Sequence, residues 1–461
     1  MKIHIILGIL FVLIVSPYFF NDKSSSTLYV SGDGTGDYNC DGSKDQIEIN
    51  MALERVALDK EYNIVHLKGP HTYLVDSSIL MSSDTILEGE QGVVIKLIDN
   101  AHWSKFNSII RQKDFSLTQD YIDGKRYKNI TIRNFEINGN ANNQKEPAGQ
   151  SYYSLIFFQN TTHIKIYNMY LHNNLNDAIT ITSAGVQPIY THIYNNRISS
   201  VGHDGIYILW STNFDIYNNI ITGHRTDAGI RVENGSDFKI YNNTIGNNPD
   251  NVYSGSSAIQ IESKGDLSLH NVSITDNYLF GGSYYHGIWL NRTTNSGDLE
   301  SHSGVSITNN IISSYRGSGV YINGFNDTNI SNNIIEGDKS NSDAIGAGVT
   351  FTTYPKSNIK GFKTIVRGNI IINNPKYGIE NLAPNNHIFI SNYNSIYGNK
   401  RGNYFNTASI TDRYKETNLS RVLKDKVYPI LHQIWRESES NNSIYNGDMG
   451  TKKARELYHL P

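Results

Sequence analysis

The chain has 461 residues, and its 40 Lys and Arg against 43 Asp and Glu give a formal net charge of −3. A charge this close to balance gives no electrostatic reason to expect a nucleic-acid partner. The sequence contains 38 Gly and 31 Tyr but only 10 Pro, and Asn and Ile recur throughout. This composition favours strands and turns over helices, so we expect an all-β chain.

The N-terminal segment, residues 1–20, combines the basic Lys2 with an apolar run from Ile5 to Val15 that breaks at Pro17. The run is short for a bilayer span and is typical of a secretory signal, although the aromatic residues that follow also allow an uncleaved membrane anchor. We therefore expect residues 21–27 to be a linker and the body to be secreted or displayed at the cell surface. Many N-glycosylation sequons agree with export, and the single Cys40 excludes an internal disulfide.

The first element after the opening strand is an amphipathic helix predicted over residues 45–58, because Ile49, Leu53 and Val56 fall on one helical face. Such a helix suits the end of a solenoid. The stretch before it fits the calcium-loop pattern of alternating oxygen ligands, a Gly at the turn and a carboxylate from the next helix. The predicted calcium ligands are Asp37, Asn39, Asp41, Asp45 and Glu48. A Gly/Asp turn followed by a helix cap is the alternative.

Residues 28–405 are expected to form a right-handed parallel β-helix, because a short strand pattern repeats along them. The shared Asn positions differ by 23, 24, 34, 33 and 23 residues, and they are Asn196, Asn219, Asn243, Asn277, Asn310 and Asn333. A core period near 23 residues with insertions indicates coils that place equivalent residues above one another. We interpret these Asn residues as a stacked structural ladder, with each amide bonded to the next coil.

Residues 406–461 change in character. Apolar residues fall at helical spacing between Asn418 and Ser438, interrupted by Pro429. We expect a C-terminal cap or a helix folded back on the solenoid, with a partner-binding helix as the alternative.

A second repeated column predicts the functional face. In each coil a small residue precedes an Ile or Val, and alignment on that residue superposes Thr180, Tyr207, Arg231, Gln260, Trp289 and Tyr321. Strand alternation turns Tyr207 and Arg231 outward. Because coils lie ~4.8 Å apart, carboxylates on adjacent coils come close enough to separate their pKa values, as acid-base catalysis requires.

This alignment, with the two positions that precede the small residue in each coil, defines the candidate site residues. The catalytic candidates are Asp177, His203, Asp204 and Arg231. The substrate-binding candidates, which offer ring faces for sugars or groups for an acidic glycan, are Tyr207, Arg225, Asp227, Gln260, Glu262, His286 and Trp289, with Glu233 as a further candidate. A single Asp at a coil corner or a single His is more often structural, so the prediction depends on the coincidence of several on one face.

Several runs also carry a family resemblance. They are GDYNCDGSKDQIEINMAL, VHLKGPHTYLV, ILEGEQGVVIKL, GHDGIYI, AGIRV and AIQIE. Together they resemble the disaggregatase proteins of methane-producing archaea and their pectate-lyase-like β-helix relatives, from Thr27 to the end of the solenoid. The resemblance implies a secreted or surface enzyme that acts on an acidic matrix polysaccharide such as methanochondroitin, which contains uronic acid and N-acetylgalactosamine.

A more distant resemblance concerns the roles of individual residues. The runs NDAITI, GHDGIYI and GIRVEN are similar in type and order to coils of polygalacturonase-like glycoside hydrolases that carry DDC, GHG and RIK motifs. This similarity implies acid-base roles for Asp177 and Asp204, positioning by His203 and substrate-carboxylate binding by Arg231. The chain departs from the family in having one Asp in the first motif and Asp204 where the family has His.

The expected function is glycosidic bond hydrolysis, in which one carboxyl protonates the leaving oxygen and another activates water. A polysaccharide lyase on the same fold, with Arg or His as the base, is the second hypothesis. A non-enzymatic surface protein that binds glycans is the third. The residues leave these alternatives open, because one fold supports several chemistries.

Overall fold

The computed structural model describes residues 26–406 except 104–106, 115–125, 146–152, 225, 247–256, 265–268, 281–285, 293–302, 326, 338–344, 353–362, 384–386 and 392. The expected signal or anchor at 1–20 and the expected helix between Asn418 and Ser438 lie outside the described residues. Within the described part of the chain, no helix has the length and apolar character needed to cross a membrane.

The strands wind into a right-handed parallel β-helix, which confirms the expected fold. Each full coil contributes a strand to each of three faces, and all the strand pairs are parallel. Two long strands, β14 (Ile179–Tyr194) and β16 (Ile206–Tyr217), run from the first face around a corner onto the second.

The first face contains β5 (Ile79–Met81), β8 (Ser108–Gln112), β11 (Ser154–Gln159), β14 (Ile179–Tyr194), β16 (Ile206–Tyr217), β18 (Ala228–Glu233), β21 (Ser257–Ser263), β24 (His286–Arg292), β27 (Val320–Asn323), β30 (Val349–Thr352), β33 (Tyr377–Asn381) and β36 (Gly402–Phe405). The second face contains β1 (Ser26–Ser31) with the short β2 (Tyr38–Asn39), then β3 (Tyr62–Leu67), β6 (Ile86–Gly89), β9 (Tyr127–Arg133), β12 (Thr161–Tyr167), the ends of β14 and β16, β19 (Ser236–Tyr241), β22 (His270–Thr275), β25 (Ser303–Thr308), β28 (Thr328–Ser331), β31 (Lys363–Arg367) and β34 (His387–Ile390). The third face contains β4 (His71–Val75), β7 (Val93–Leu97), β10 (Glu136–Asn138), β13 (Tyr170–Asn174), β15 (Arg197–Val201), β17 (Ile220–His224), β20 (Thr244–Gly246), β23 (Tyr278–Phe280), β26 (Ile311–Ser313), β29 (Ile334–Glu336), β32 (Ile370–Ile372) and β35 (Ser395–Tyr397). A 3-10 turn spans Ala141–Asn143.

The core is a stack of aliphatic side chains that point inward from the three faces. On the first face, one fully buried column contains Ile179, Ile206, Ile230, Ile259 and Ile288. Burial of each such side chain stabilises the fold by about 1.5–3 kcal/mol relative to exposure. Because inward and outward residues alternate, this packing fixes which residues face solvent.

The Asn residues form the predicted ladder at the corner between the second and third faces. In Asn196 both the backbone N–H and the side-chain Nδ2 donate to Oδ1 of Asn219, at 3.1 and 3.0 Å. The pattern repeats coil by coil and continues beyond the predicted positions to Asn369 and Asn394. The residue before each ladder Asn from Asn196 to Asn369, such as Asn218 with φ +56°, takes the left-handed conformation that Asn tolerates at a corner.

Helix α1 (Gln46–Leu58) covers the N-terminal end of the core, as predicted, with Ile49, Leu53 and Val56 buried. Asn50 on this helix also forms hydrogen bonds with backbone groups at the edge of β5. Its Nδ2 donates to the Ser78 carbonyl at 3.0 Å, and its Oδ1 accepts from the Leu80 N–H at 2.7 Å. The helix therefore both shields apolar side chains and pairs backbone groups of the first coil.

Candidate functional site

The second predicted column is present on the first face. Adjacent strands pair Thr180 with Tyr207 and Tyr207 with Arg231. The same register continues through Gln260, Trp289 and Tyr321. The neighbours of Tyr207 and Arg231 within each strand are buried, while these two side chains are only partly buried, so the predicted alternation holds.

His203 lies at the centre of a cluster of acidic residues, in the turn before β16. Its Nδ1 atom is 2.9 Å from Oδ1 of Asp177 and 3.1 Å from Oδ2 of Asp204. Its Nε2 atom is 2.8 Å from Oδ2 of Asp227, which precedes β18. One imidazole therefore connects carboxylates from three successive coils.

Arg231 holds the carboxylates on the other side of the cluster. Its Nη1 donates to Oδ2 of Asp227 at 2.9 Å, and its Nη2 donates to Oε2 of Glu262 at 2.7 Å and of Glu233 at 3.2 Å. Its Nε also donates to Glu262, at 3.0 Å, and the guanidinium carbon lies 4.9 Å from the centroid of the Tyr207 ring. Within the part of the chain that the structure describes, every guanidinium nitrogen of Arg231 therefore lies near a carboxylate of the protein, and Nη1 is also 3.6 Å from Oδ2 of Asp204.

Asp177 and Asp204 are the buried members of the cluster. Asp177 accepts from the Asp204 N–H at 3.0 Å and from the Thr180 hydroxyl at 2.7 Å. Asp204 accepts from the Ala228 N–H at 2.7 Å through Oδ1, while its Oδ2 makes no hydrogen bond of good geometry among the described residues. The Asp204 side chain is 0% exposed, whereas His203 is 32% and Asp227 29% exposed. A ligand on this face would therefore meet His203 and Asp227 rather than Asp204.

The surroundings of Asp204, His203 and Asp227 shift their pKa values in different directions. Burial raises the pKa of Asp204 to about 6, although His203 and Arg231 oppose the rise. Burial alone would lower the pKa of His203, but its close contacts with the carboxylates of Asp177, Asp204 and Asp227 outweigh burial and raise that pKa well above its ordinary value. The hydrogen bond from His203 lowers the pKa of Asp227 despite partial burial. The exposed carboxylate is thus ionised, and the buried one is the more easily protonated.

A third cation completes the cluster, and it is absent from the sequence-based candidates. Lys264 follows β21, and its Nζ lies 2.6 Å from Oε2 of Glu233 and 3.5 Å from Oε2 of Glu262. Glu233 and Glu262 are themselves paired across β18 and β21. Aligning the coils two positions further along the strand would have brought these carboxylates together and pointed to the Lys beyond them.

The remaining substrate-binding candidates lie further along the same column or cannot be placed. Gln260 is buried, and Trp289 packs with His286 at a ring-centroid distance of 5.4 Å. His286 accepts from the Ser318 N–H at 3.0 Å, and burial lowers its pKa to about 3, so it is a neutral packed side chain. Arg225 lies outside the described residues.

Three of the predicted calcium ligands, Asp37, Asp41 and Asp45, accept backbone N–H hydrogen bonds. Asp45 is fully buried and accepts backbone N–H bonds from Gly42 at 2.9 Å and Leu74 at 2.7 Å. Asp37 accepts from the Tyr29 N–H at 2.8 Å, and Asp41 from the Ser43 N–H at 2.9 Å.

Two further neighbours bear on this loop. The Asn39 side chain bonds to Ser31 and Gly36, while Glu48 approaches Asp45 together with Cys40. Burial, followed by the nearby carboxylates, raises the pKa of the Cys40 thiol far above its usual range, so the thiol stays protonated. The group near Glu48 thus combines two carboxylates with a protonated thiol, whereas calcium binds oxygen ligands. Calcium binding therefore stays a prediction from the sequence pattern.

Comparison with known proteins places this fold in context. Residues 183–359 match the family model described as a right handed beta helix region. No curated protein matches the chain in sequence.

Three solved structures show the range of similar proteins. The A-module of the Azotobacter vinelandii mannuronan C-5 epimerase AlgE6 is 18% identical with a TM-score of 0.51, over 80% of this chain and 96% of that one. The Yersinia enterocolitica family 28 exopolygalacturonase is 13% identical with a TM-score of 0.51, over 82% and 78%. The tailspike protein of E. coli bacteriophage HK620, in complex with a pentasaccharide, is 12% identical with a TM-score of 0.54, over 77% and 63%. The chain therefore shares the parallel β-helix fold with proteins that act on or bind polysaccharides.

Proposed function

We propose that this protein is a glycoside hydrolase that cleaves a polysaccharide at the His203 cluster on the first face. The observation that carries the proposal is the bridge made by His203, which joins the buried Asp177 and Asp204 to the exposed Asp227. Glycosidic bond hydrolysis needs one group that supplies a proton and one carboxylate that attacks or activates water. The bridge provides both kinds of group within one hydrogen-bonded unit.

In this proposal Asp227 is the carboxylate that faces the sugar. It is part-exposed, and its pKa is lowered by His203, so it is ionised and able to activate water or attack the anomeric carbon. His203 orients it through the 2.8 Å contact, and the proton shared by Nε2 and Oδ2 is the one that the leaving oxygen receives before Asp227 accepts a proton from water. Asp177 and Asp204 then act as positioning residues, because they hold Nδ1 of His203 from below. The acid-base roles that the resemblance implies for Asp177 and Asp204 are thereby moved to Asp227 and His203.

Protonation of Asp204 controls how strongly His203 keeps its proton. While Asp204 is ionised, three carboxylates surround the imidazolium, which makes it a weak acid. When Asp204 takes up a proton near pH 6, one of these charges is removed and the imidazolium proton becomes easier to release. We therefore expect cleavage to be faster on the acidic side of neutrality.

The proposed substrate is an acidic, uronic-acid-containing cell-surface matrix such as methanochondroitin, and the proposed location is extracellular. The resemblance to archaeal disaggregatase proteins motivates both statements, and the export signal expected at residues 1–20 is consistent with them. The activities named for two structural neighbours, a mannuronan epimerase and an exopolygalacturonase, are consistent with a polysaccharide substrate.

The test is to incubate the purified protein with such polysaccharides and to follow reducing ends and ultraviolet absorbance together. New reducing ends without absorbance are the expected result. Both signals together would mean β-elimination, and the reaction would then be that of a lyase. Binding without either signal would replace the proposal with a glycan-binding surface protein.

A further inference from the structure

We infer that the sugar ring whose anomeric carbon lies against Asp227 carries no carboxylate. This inference rests on the proposed function and specifies its substrate: within an acidic polysaccharide, the residue seated over the His203–Asp227 pair is a neutral sugar such as an N-acetylhexosamine.

The first argument is the charge of the cluster at neutral pH. Among its described members there are two more acidic groups than basic groups. The acidic members are Asp177, Asp204, Asp227, Glu233 and Glu262, and the basic members are His203, Arg231 and Lys264. Arg225 would leave an excess of one even if its guanidinium joined them. A uronate carboxylate placed here would add a like charge to a partly buried negative site, which opposes binding.

The second argument concerns Arg231, which the sequence suggested as the binder of a substrate carboxylate. Its guanidinium already donates to Asp227, Glu233 and Glu262. The side chain is only 11% exposed and lies against the Tyr207 ring. A substrate carboxylate would have to displace one of the protein's own carboxylates from this fork, and that carboxylate would then be left partly buried without its cation.

The third argument concerns the polar groups that the cluster presents to a ligand. Asp227 exposes a carboxylate, and both nitrogens of His203 already face carboxylates. The surface is therefore rich in acceptors, which suit the hydroxyl and amide N–H donors of an uncharged sugar. The Lys264 side chain is 44% exposed at the far side of the cluster, so a uronate in the adjacent position of the polymer would meet a cation there.

The test is to digest unsulfated chondroitin, which alternates glucuronate with N-acetylgalactosamine, and to identify the new reducing end by reductive labelling and mass spectrometry. Hydrolysis leaves the sugar that faced Asp227 at that end. We expect N-acetylgalactosamine, and glucuronate at the new reducing end would overturn the inference.

A binding measurement separates this inference from the proposed function. We expect the protein to bind a trimer of N-acetylhexosamine at least tenfold more tightly than tri-galacturonate at low ionic strength. In Glu262→Gln, and independently in Glu233→Gln, this preference should shrink about tenfold, whereas Glu88→Gln, at a carboxylate paired with Arg133 on the second face, should leave it unchanged. Tighter binding of tri-galacturonate by the wild-type chain would overturn the inference, whether or not any polysaccharide is cleaved. Absence of cleavage with the neutral preference intact would overturn the proposed function alone.

Discussion

The Nε2 atom of His203 lies 2.8 Å from Oδ2 of Asp227, and this contact links the buried carboxylates of Asp177 and Asp204 to a partly exposed one. The two residues come from successive coils, ahead of β16 and β18. Asp177 and Asp204 lie on the Nδ1 side of the imidazole and are buried, whereas Asp227 lies on the Nε2 side and is partly exposed. A proton can therefore be held inside the fold and act at its surface.

Replacement of Asp227 by Asn should lower the rate of polysaccharide cleavage about 10³-fold, because an amide cannot act as the base or nucleophile. Asp215→Asn is the matched control. Asp215 is also 29% exposed and also lies beside a His, with its Oδ2 3.5 Å from Nδ1 of His192, but it is on the second face. It should retain full activity. Equal losses of cleavage rate in the two variants would show that the effect is not specific to the His203 cluster.

Replacement of Asp177 by Asn should lower kcat with little change in KM, because Asp177 holds His203 but does not reach the substrate. The variant should also move the alkaline limb of the pH–rate profile to lower pH, since one of the carboxylates that raise the pKa of the proton donor His203 is neutralised. An unchanged pH profile with a lowered kcat would mean that Asp177 only supports the fold.

The pH dependence of stability should reveal Asp204. Its folded-state pKa, about 6, is raised above the ordinary 3.8, so the folded state binds a proton that the unfolded state releases. The stabilisation linked to this proton is complete below about pH 3.8 and is lost as the pH rises through 6. The Tm of the wild type relative to Asp204→Asn should therefore fall between pH 4 and 7. A constant difference would contradict the raised pKa.

The Asn ladder should contribute strongly to stability. Asn219→Ala removes the acceptor for two N–H groups of Asn196 and leaves them buried, which should cost about 2–4 kcal/mol. Exposed Asn142 on the 3-10 turn is the control, because its replacement by Ala should change the free energy of unfolding by less than about 0.5 kcal/mol. Chemical denaturation measures both. Similar values for the two would rule out the ladder as a main source of stability.

Asp45 offers a test of the calcium prediction. Asp45→Ala leaves two backbone N–H groups without their acceptor, so it should lower stability by about 2 kcal/mol or more whether calcium or a chelator is present. Asp41→Asn should be nearly neutral in chelator. A rise in Tm with calcium in the wild type that is lost in Asp41→Asn would establish the calcium loop despite the hydrogen bonds seen here.

The sequence alone determined the fold, the ladder and the register of the candidate column. In a parallel β-helix these features repeat in every coil, and inward and outward residues alternate strictly, so a repeated Asn or Ile can be aligned without knowing the structure. Residues such as Tyr207 and Arg231 are placed correctly by that alignment because they lie within strands.

The tertiary structure decided which charged groups are accessible and how they pair. Asp204 and Asp227 both stand in turns before strands, and nothing in their local sequence shows that one is fully buried and the other exposed. The partners of Arg231 are likewise set by carboxylates on its own coil and the next. Exposure and ion pairing depend on groups brought together from different coils. For this reason, the assignment of Asp227 to the surface and of Arg231 to a structural network required the three-dimensional arrangement.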